Sequence, residues 1–411
     1  MLLFAKASAQ AALRGGPNYY RWMGFLAFWI LCGVAAYMFQ FQHGLDVTDM
    51  SDQIPWGAYI ANFTYLVGLA AAGVMLVIPA YVYNDHAMHE VTILAELLAI
   101  AVLISCLLFV TVDIGRPDRA WHLIPMLGRL NFPVSMLAWD VVVVSGYLVI
   151  NLYVATYLLF NKFIGRKPTK AFYWPVVIIG MVWAIGIHTV TAFLYSSLGG
   201  RPAWHSAVLA PRFLASAFAS GPCLMIIVLM IVRDYMRFPI RESVFLRLRQ
   251  IVAVMTLINL FFLFTEIFTE LYPATLSAAS MDNLLFGLRG HRMFVPYIWA
   301  SIILDVGGTL VLVIRPFYTR RWVLAFGCGM VVVGVWIGKG MGLIIPGFVP
   351  SALGEVMDYS PSLIEFLVSM GVWSTGAAIF TVFVKIAVPI EIGELRLTPL
   401  TPVTEVPQES T

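Results

Sequence analysis

Ten apolar runs of about 20 residues or more occupy most of this chain, and that single feature restricts it to one kind of fold. Each run is long enough, as a helix, to cross a hydrocarbon layer roughly 30 Å thick. No water is present there to satisfy an open backbone, so helices or a closed barrel are required. The runs lie near 22–42, 55–82, 91–113, 133–160, 172–195, 206–232, 249–272, 293–315, 322–345 and 362–388. The expectation is an all-α integral membrane protein with about ten transmembrane helices. Composition agrees: 61% of residues are hydrophobic and 11% charged, against about a quarter charged in soluble domains.

Residues 1–21 are expected to form an N-terminal interfacial segment, with Lys6 and Arg14 on an Ala-rich stretch. No cleaved signal peptide is expected. Residues 22–390 form the membrane domain and 391–411 a C-terminal tail, loosely ordered from Leu397 onward because its Thr and Pro cannot build a core. Of the 25 basic residues, 17 fall on the side of the termini and of connections 2–3, 4–5, 6–7 and 8–9, and seven on the other side. Positive charge is retained on the cytoplasmic side, so both termini are expected there. The setting is then the cytoplasmic membrane of a bacterium or archaeon.

Two outer connections share a signature. Gly115-Arg116-Pro117 leads to Ala120-Trp121-His122, and Gly200-Arg201-Pro202 leads to Ala203-Trp204-His205. The echo suggests structurally related helix bundles.

Metal chemistry finds little support. The cysteines Cys32, Cys106, Cys223 and Cys328 are solitary, without a Cys-x-x-Cys pair, which argues against an iron–sulfur cluster. Of the histidines only His188 lies clearly within a span, so no pair of axial haem ligands is expected. No metal site and no nucleic-acid partner is expected.

Polar side chains within the runs gather near the face opposite the termini. They include Asn62 and Tyr65 in span 2, Asp140 in span 4, His188 in span 5, Arg212 at the start of span 6, and Glu266 and Glu270 one turn apart in span 7. Any one alone could be satisfied by a neighbouring helix. Asp140, His188, Arg212 and Glu266 at similar depth form the kind of group a polar ligand head or a proton path requires. A quinone head fits that group. Its two oxygens exchange two protons as two electrons pass, which calls for a donor at one oxygen and a titrating acid or imidazole at the other. Asp140, His188 and Glu266 are the expected proton-exchanging groups. Asp305, deep in span 8, suggests that a proton route continues toward the cytoplasm. A secondary transporter is the competing reading, since ten spans and buried charges suit that as well.

DQIPWGAYIANFTYLVGLAAAG at 52–73, GRPDRAWHLIPMLGRLNFPVSMLAWD at 115–140 and PRFLASAFASGP at 211–222 resemble the NrfD/PsrC family, the membrane subunits of polysulfide reductase-like complexes. The ten spans, with HRMFVPYIWASIILDVGG at 291–308 and IIPGFVPSALGEVMDYSPS at 344–362, are similar to its long branch, found in alternative complex III and in quinone reductase complexes of sulfate reducers. The resemblance implies two four-helix bundles plus an additional helix pair. It implies menaquinone or another quinone as substrate, exchanged at the outer side without a redox centre in the subunit itself. Its implied partners are a periplasmic ferredoxin-like iron–sulfur subunit and a multihaem cytochrome c or molybdopterin-family subunit. By position, Asp140 and Arg212 match polar residues of the family's quinone region and proton path, with Asn62, Tyr65, Trp121 and His122 as further quinone contacts.

Overall fold

The computed structural model describes residues 2–71, 73–124, 126–273, 277–351 and 353–397, so the expected loose tail beyond Leu397 lies outside the described residues. Among the described residues, ten helices are long and apolar enough to cross a membrane: α1 Pro17–His43, α2 Ala58–Val82, α3 His86–Asp113, α4 Met136–Phe163, α5 Lys170–Ser196, α6 Leu209–Met236, α7 Glu242–Leu271, α8 Val295–Val313, α9 Arg321–Gly347 and α10 Leu363–Ile392. They coincide with the ten runs of the sequence. An even number of crossings puts the outer ends of α1 and α10 on one face, called here the termini face.

The neighbours of each helix divide the chain. Helices α2, α3, α4 and α5 pack in a closed ring, and α6, α7, α8 and α9 form a second ring. The rings meet where α6 and α9 lie against α2, and α5 against α6. Helices α1 and α10 pair with each other and attach through α10 to α3. Two four-helix bundles and a helix pair are therefore the observed architecture. The pair is held by close backbone approach: a Cβ on Gly33 would stand 2.6 Å from the Cα of Gly371. Small residues allow such contact where lipid offers no hydrophobic drive between helices.

Local chemistry fixes several helix ends. Asp85 caps α3 by accepting from the backbone of Ala87 at 3.0 Å, and its carboxylate also pairs with Arg247 of α7. Ser362 and Glu365 form a capping box on α10, which satisfies amide groups that a helix start leaves open. The segment Leu2–Leu13 is a short helix with no buried residue. Its last carbonyls are met by the hydroxyls of Tyr19 and Tyr20, which donate to Ala12 at 2.6 Å and to Leu13 at 2.8 Å. Phe4 rests edge-on against Phe160 and Phe163 at the end of α4.

The Gly-Arg-Pro echo is real locally but does not mark equivalent places. Both copies wind into 3-10 turns, Pro117–Leu123 and Pro202–Trp204. The first joins α3 to α4 inside one bundle, and the second joins α5 to α6 between bundles. Their tryptophans also part company. Trp121 is exposed, whereas Trp204 is buried, donates from its indole to the Leu343 carbonyl at 2.7 Å, and stacks on Trp56 at 5.8 Å.

Candidate functional site

At a rise of 1.5 Å per residue, Asp140, His188, Arg212 and Glu266 sit roughly 5–12 Å inside their helices from the face opposite the termini. Shared depth is therefore observed. A single shared pocket is not: α6 stands between two groups of these residues.

The first group lies in the α2–α5 bundle. Asp140 is on the second turn of α4, after the cap in which Ser135 accepts from Ala138. It is 4% exposed. The Thr191 hydroxyl lies 2.7 Å from its Oδ1 and 2.9 Å from the Ile187 carbonyl. A hydroxyl carries one hydrogen. Both contacts are hydrogen bonds at once when the carboxyl is protonated and donates to the threonine, which then donates to Ile187. One turn deeper on the same face of α5, His188 is fully buried. Its Nδ1 is 3.3 Å from the Ala184 carbonyl, and its Nε2 has no hydrogen-bond partner among the described residues. Nearby, Tyr195 and Thr64 join hydroxyl to hydroxyl.

Several large apolar side chains are exposed around the first turn of α4. Ile124, Met126, Leu127, Phe132, Val134 and Leu137 are all exposed, with Arg129 and Asn131 exposed among them. Trp121 and His122 stack at 3.9 Å within the same connection, and Phe132 lies 4.5 Å from Trp139. Asp140 lies about one turn deeper along α4 than these exposed apolar side chains.

The second group lines a cavity inside the α6–α9 bundle. It holds about 980 Å³ of space not filled by atoms, part of it open to the outside. The helix Ala278–Leu285 lies across it. Arg212 and Glu266 form an ion pair at its side, with side chains only 18% and 17% exposed. Deeper in the wall are Lys339, Asp305 and Asn259. Lys339 is buried, donates to the Phe213 carbonyl at 3.2 Å, and stands over the Phe213 ring at 4.3 Å. A desolvated ammonium needs such partners. One oxygen of Asp305 is buried without a hydrogen bond, and the space beside it exists because Gly334 has no Cβ.

Asn62 and Tyr65 belong to neither group. The Asn62 carbonyl oxygen accepts from the indoles of Trp336 at 2.9 Å and Trp373 at 3.0 Å, and its amide donates to Ala58 at 2.9 Å. One amide thereby ties α2 to α9 and α10. Both lone pairs of that oxygen are taken, so a quinone contact at Asn62 has little to work with. Tyr65 donates to the Val332 carbonyl at 3.3 Å and lies against Trp373. Asn62→Leu should leave the indole donors of Trp336 and Trp373 without their shared acceptor, at a cost of about 1–3 kcal/mol in all because both rings are only partly buried. The expected result is a lower thermal midpoint for the purified protein with quinone turnover per folded complex retained; full stability with lost turnover would return Asn62 to the site.

The sequence alone does not single out Lys339, Glu96, Glu365 or Asn259. Glu365 is fully buried, accepts from the Tyr359 hydroxyl, and accepts from the backbone of Asp49 at 3.0 Å. Burial and then the adjacent Glu365 carboxylate push the Tyr359 phenol up. It therefore stays protonated and donates. A usable signal exists for Glu96 and Lys339: each is a lone charge within an apolar run.

Residues 46–350 match the family described as Polysulphide reductase, NrfD. The chain belongs to the NrfD family. The matched stretch holds all eight helices of the two bundles, and α1 and α10 fall outside it. Among its relatives, the chain is similar to the Hdr-like menaquinol oxidoreductase integral membrane subunit of Archaeoglobus fulgidus, 25% identical over 381 residues that cover 87% of this chain and 91% of the relative. It is also similar to a selenate reductase subunit of Mesobacillus selenatarsenatis, 24% identical over 415 residues, covering 89% and 93%.

Proposed function

We propose that this NrfD-family chain is the quinone-exchanging membrane subunit of a multi-subunit respiratory oxidoreductase, with both termini in the cytoplasm of a bacterium or archaeon. The carrying observation is Asp140, a buried carboxyl set about one turn deeper along α4 than several exposed apolar side chains on the face opposite the termini. A quinol oxidised there loses two electrons and two protons. Asp140 accepts a proton from one hydroxyl, Thr191 follows that proton through its own hydrogen bonds, and His188 offers an unpartnered ring nitrogen one turn below. Run in reverse, the same groups supply protons to a quinone being reduced. Trp121 and His122 belong to the rim that admits the head, and the tail remains in lipid.

The electrons pass between the quinone and a ferredoxin-like iron–sulfur subunit seated on the outer connections, which in turn serves a multihaem cytochrome c or molybdopterin-family subunit. The name of the Archaeoglobus fulgidus relative, a menaquinol oxidoreductase subunit, supports menaquinone as the substrate class. Arg212, Glu266, Lys339 and Asp305 are read as a second polar compartment for protons rather than for the quinone head, because all four are ionisable side chains and they reach toward the middle of the membrane.

Gentle solubilisation and affinity purification of the chain test this reading. The expected result is an iron–sulfur partner and bound quinone in the same particle. A lone subunit without quinone that moves a solute across vesicles would instead establish the transporter reading, to which the interruption of α9 at Gly340, beside Lys339, lends some geometry.

A further inference from the structure

A second cavity opens inside the α2–α5 bundle, in the half nearer the termini face. It spans about 320 Å³ of space not filled by atoms, part of it open to the outside, and is lined by all four helices of the bundle. Its wall is apolar on α2 and α5, through Val74, Val77, Val177 and Met181. Glu96 of α3 breaks that pattern. It is 5% exposed, and its Oε2 is buried without a hydrogen-bond partner among the described residues. A carboxyl placed this way in hydrocarbon is costly and needs a compensating partner or a task.

Facing it from α4 are Tyr147 and Asn151. These two share one buried face of α4 with Val144 and Asp140, at positions 140, 144, 147 and 151. Such spacing stacks side chains in a line along a helix, about 16 Å long at 1.5 Å per residue. The cavity therefore stands below Asp140 on the same internal face of the same bundle. A space bordered by a free carboxylate oxygen, an amide and a phenol has the polar partners that buried water requires.

The side toward the termini face is also built. Next to the cavity, α2 leaves the α-helical register for a π turn at Ile78–Val82, a feature that often accompanies functional sites. That turn presents Tyr81, which stands with Tyr157 and Tyr173 in an aromatic cluster and 4.9 Å from His89. The Lys162–Glu391 ion pair lies beyond, between α4 and α10.

We propose that Glu96 is a proton-exchange site served from the termini face, and that a water-lined route climbs from it along α4, past Asn151 and Tyr147, to Asp140. The carboxyl takes a proton from the termini side and releases it to water in the cavity; no electron or co-reactant is involved. The proposal rests on the reading of Asp140 as the quinone's proton partner.

The test uses the intact complex in sealed vesicles. Dicyclohexylcarbodiimide, which attacks carboxylic acids protonated in apolar surroundings, is applied, and its adducts are mapped by peptide mass spectrometry. The expected result is an adduct on Glu96 whose extent tracks the loss of proton uptake from the termini side. Glu96→Gln should remove that adduct and bring uptake to background. If that variant fails to assemble, the wild-type correlation between adduct and uptake decides alone. An unmodified Glu96 in the folded complex, when the unfolded chain is modified, would overturn the proposal. So would full uptake in assembled Glu96→Gln. Failure of the quinone reading is separately visible, because it would appear as normal quinone turnover in Asp140→Asn whatever happens at Glu96.

Discussion

Asp140→Asn leaves the complex assembled and slows quinone turnover by roughly 10²-fold or more, the usual contribution of a positioned acid–base group. Asparagine keeps the shape of aspartate and can still accept from Thr191, so the α4–α5 contact survives. What disappears is the exchangeable proton. The asparagine amide NH2 can also donate to Thr191 in place of a protonated carboxyl, leaving the threonine hydrogen for the Ile187 carbonyl, 2.9 Å away in the wild type. The measurement is steady-state turnover of a short-chain quinol by purified complex, normalised to assembled particle. Undiminished turnover would remove Asp140 from the chemistry and leave its burial a matter of packing.

The second large effect concerns stability. Arg212 and Glu266 are paired with side chains mostly withdrawn from solvent, and Lys339 shares their cavity. Removing one partner of a buried pair typically costs about 3–5 kcal/mol because the other charge is stranded. Arg212→Met should therefore lower the thermal midpoint sharply. Glu266→Met should do the same, since it strands the Arg212 guanidinium in the same cavity. Replacing both members, Arg212→Met with Glu266→Met, should recover most of the loss, as apolar substitutes for a whole pair are often neutral. Thermal unfolding of the four proteins in one detergent gives the cycle. Losses that simply add would show that the two side chains act independently.

Much of this is legible from sequence, for a definite reason. Span length and apolarity are read directly from the chain, and depth follows from the rise per residue. Asp140, His188, Arg212 and Glu266 accordingly fall at one level. Direction around a helix axis is different. Whether Arg212 on α6 looks toward Asp140 or away from it depends on which helices surround α6, and no local pattern encodes that. The single pocket expected from depth alone is thus two compartments, one on each side of α6. Asn62 illustrates the same limit. Its partners Trp336 and Trp373 lie 274 and 311 residues away in the chain, so its role in joining three helices has no local signal. From sequence, Lys339 counts among the outer-face charges because it lies close to the end of span 9, whereas its ammonium is buried against Phe213. The Gly-Arg-Pro echo fails in another way. Two connections with the same residues fold into similar turns, but one closes a bundle and the other links two.

The central claim is that the quinone head meets Asp140 in the first bundle. A photoreactive quinone analogue crosslinked into the intact complex tests it most directly, with the labelled peptides identified by mass spectrometry. The account predicts label on the connection and first turn at 121–140 and on the α5 stretch 188–195, competed away by excess natural quinone. Competable label confined to α7 and the segment 278–285 would put the head in the second bundle and contradict it.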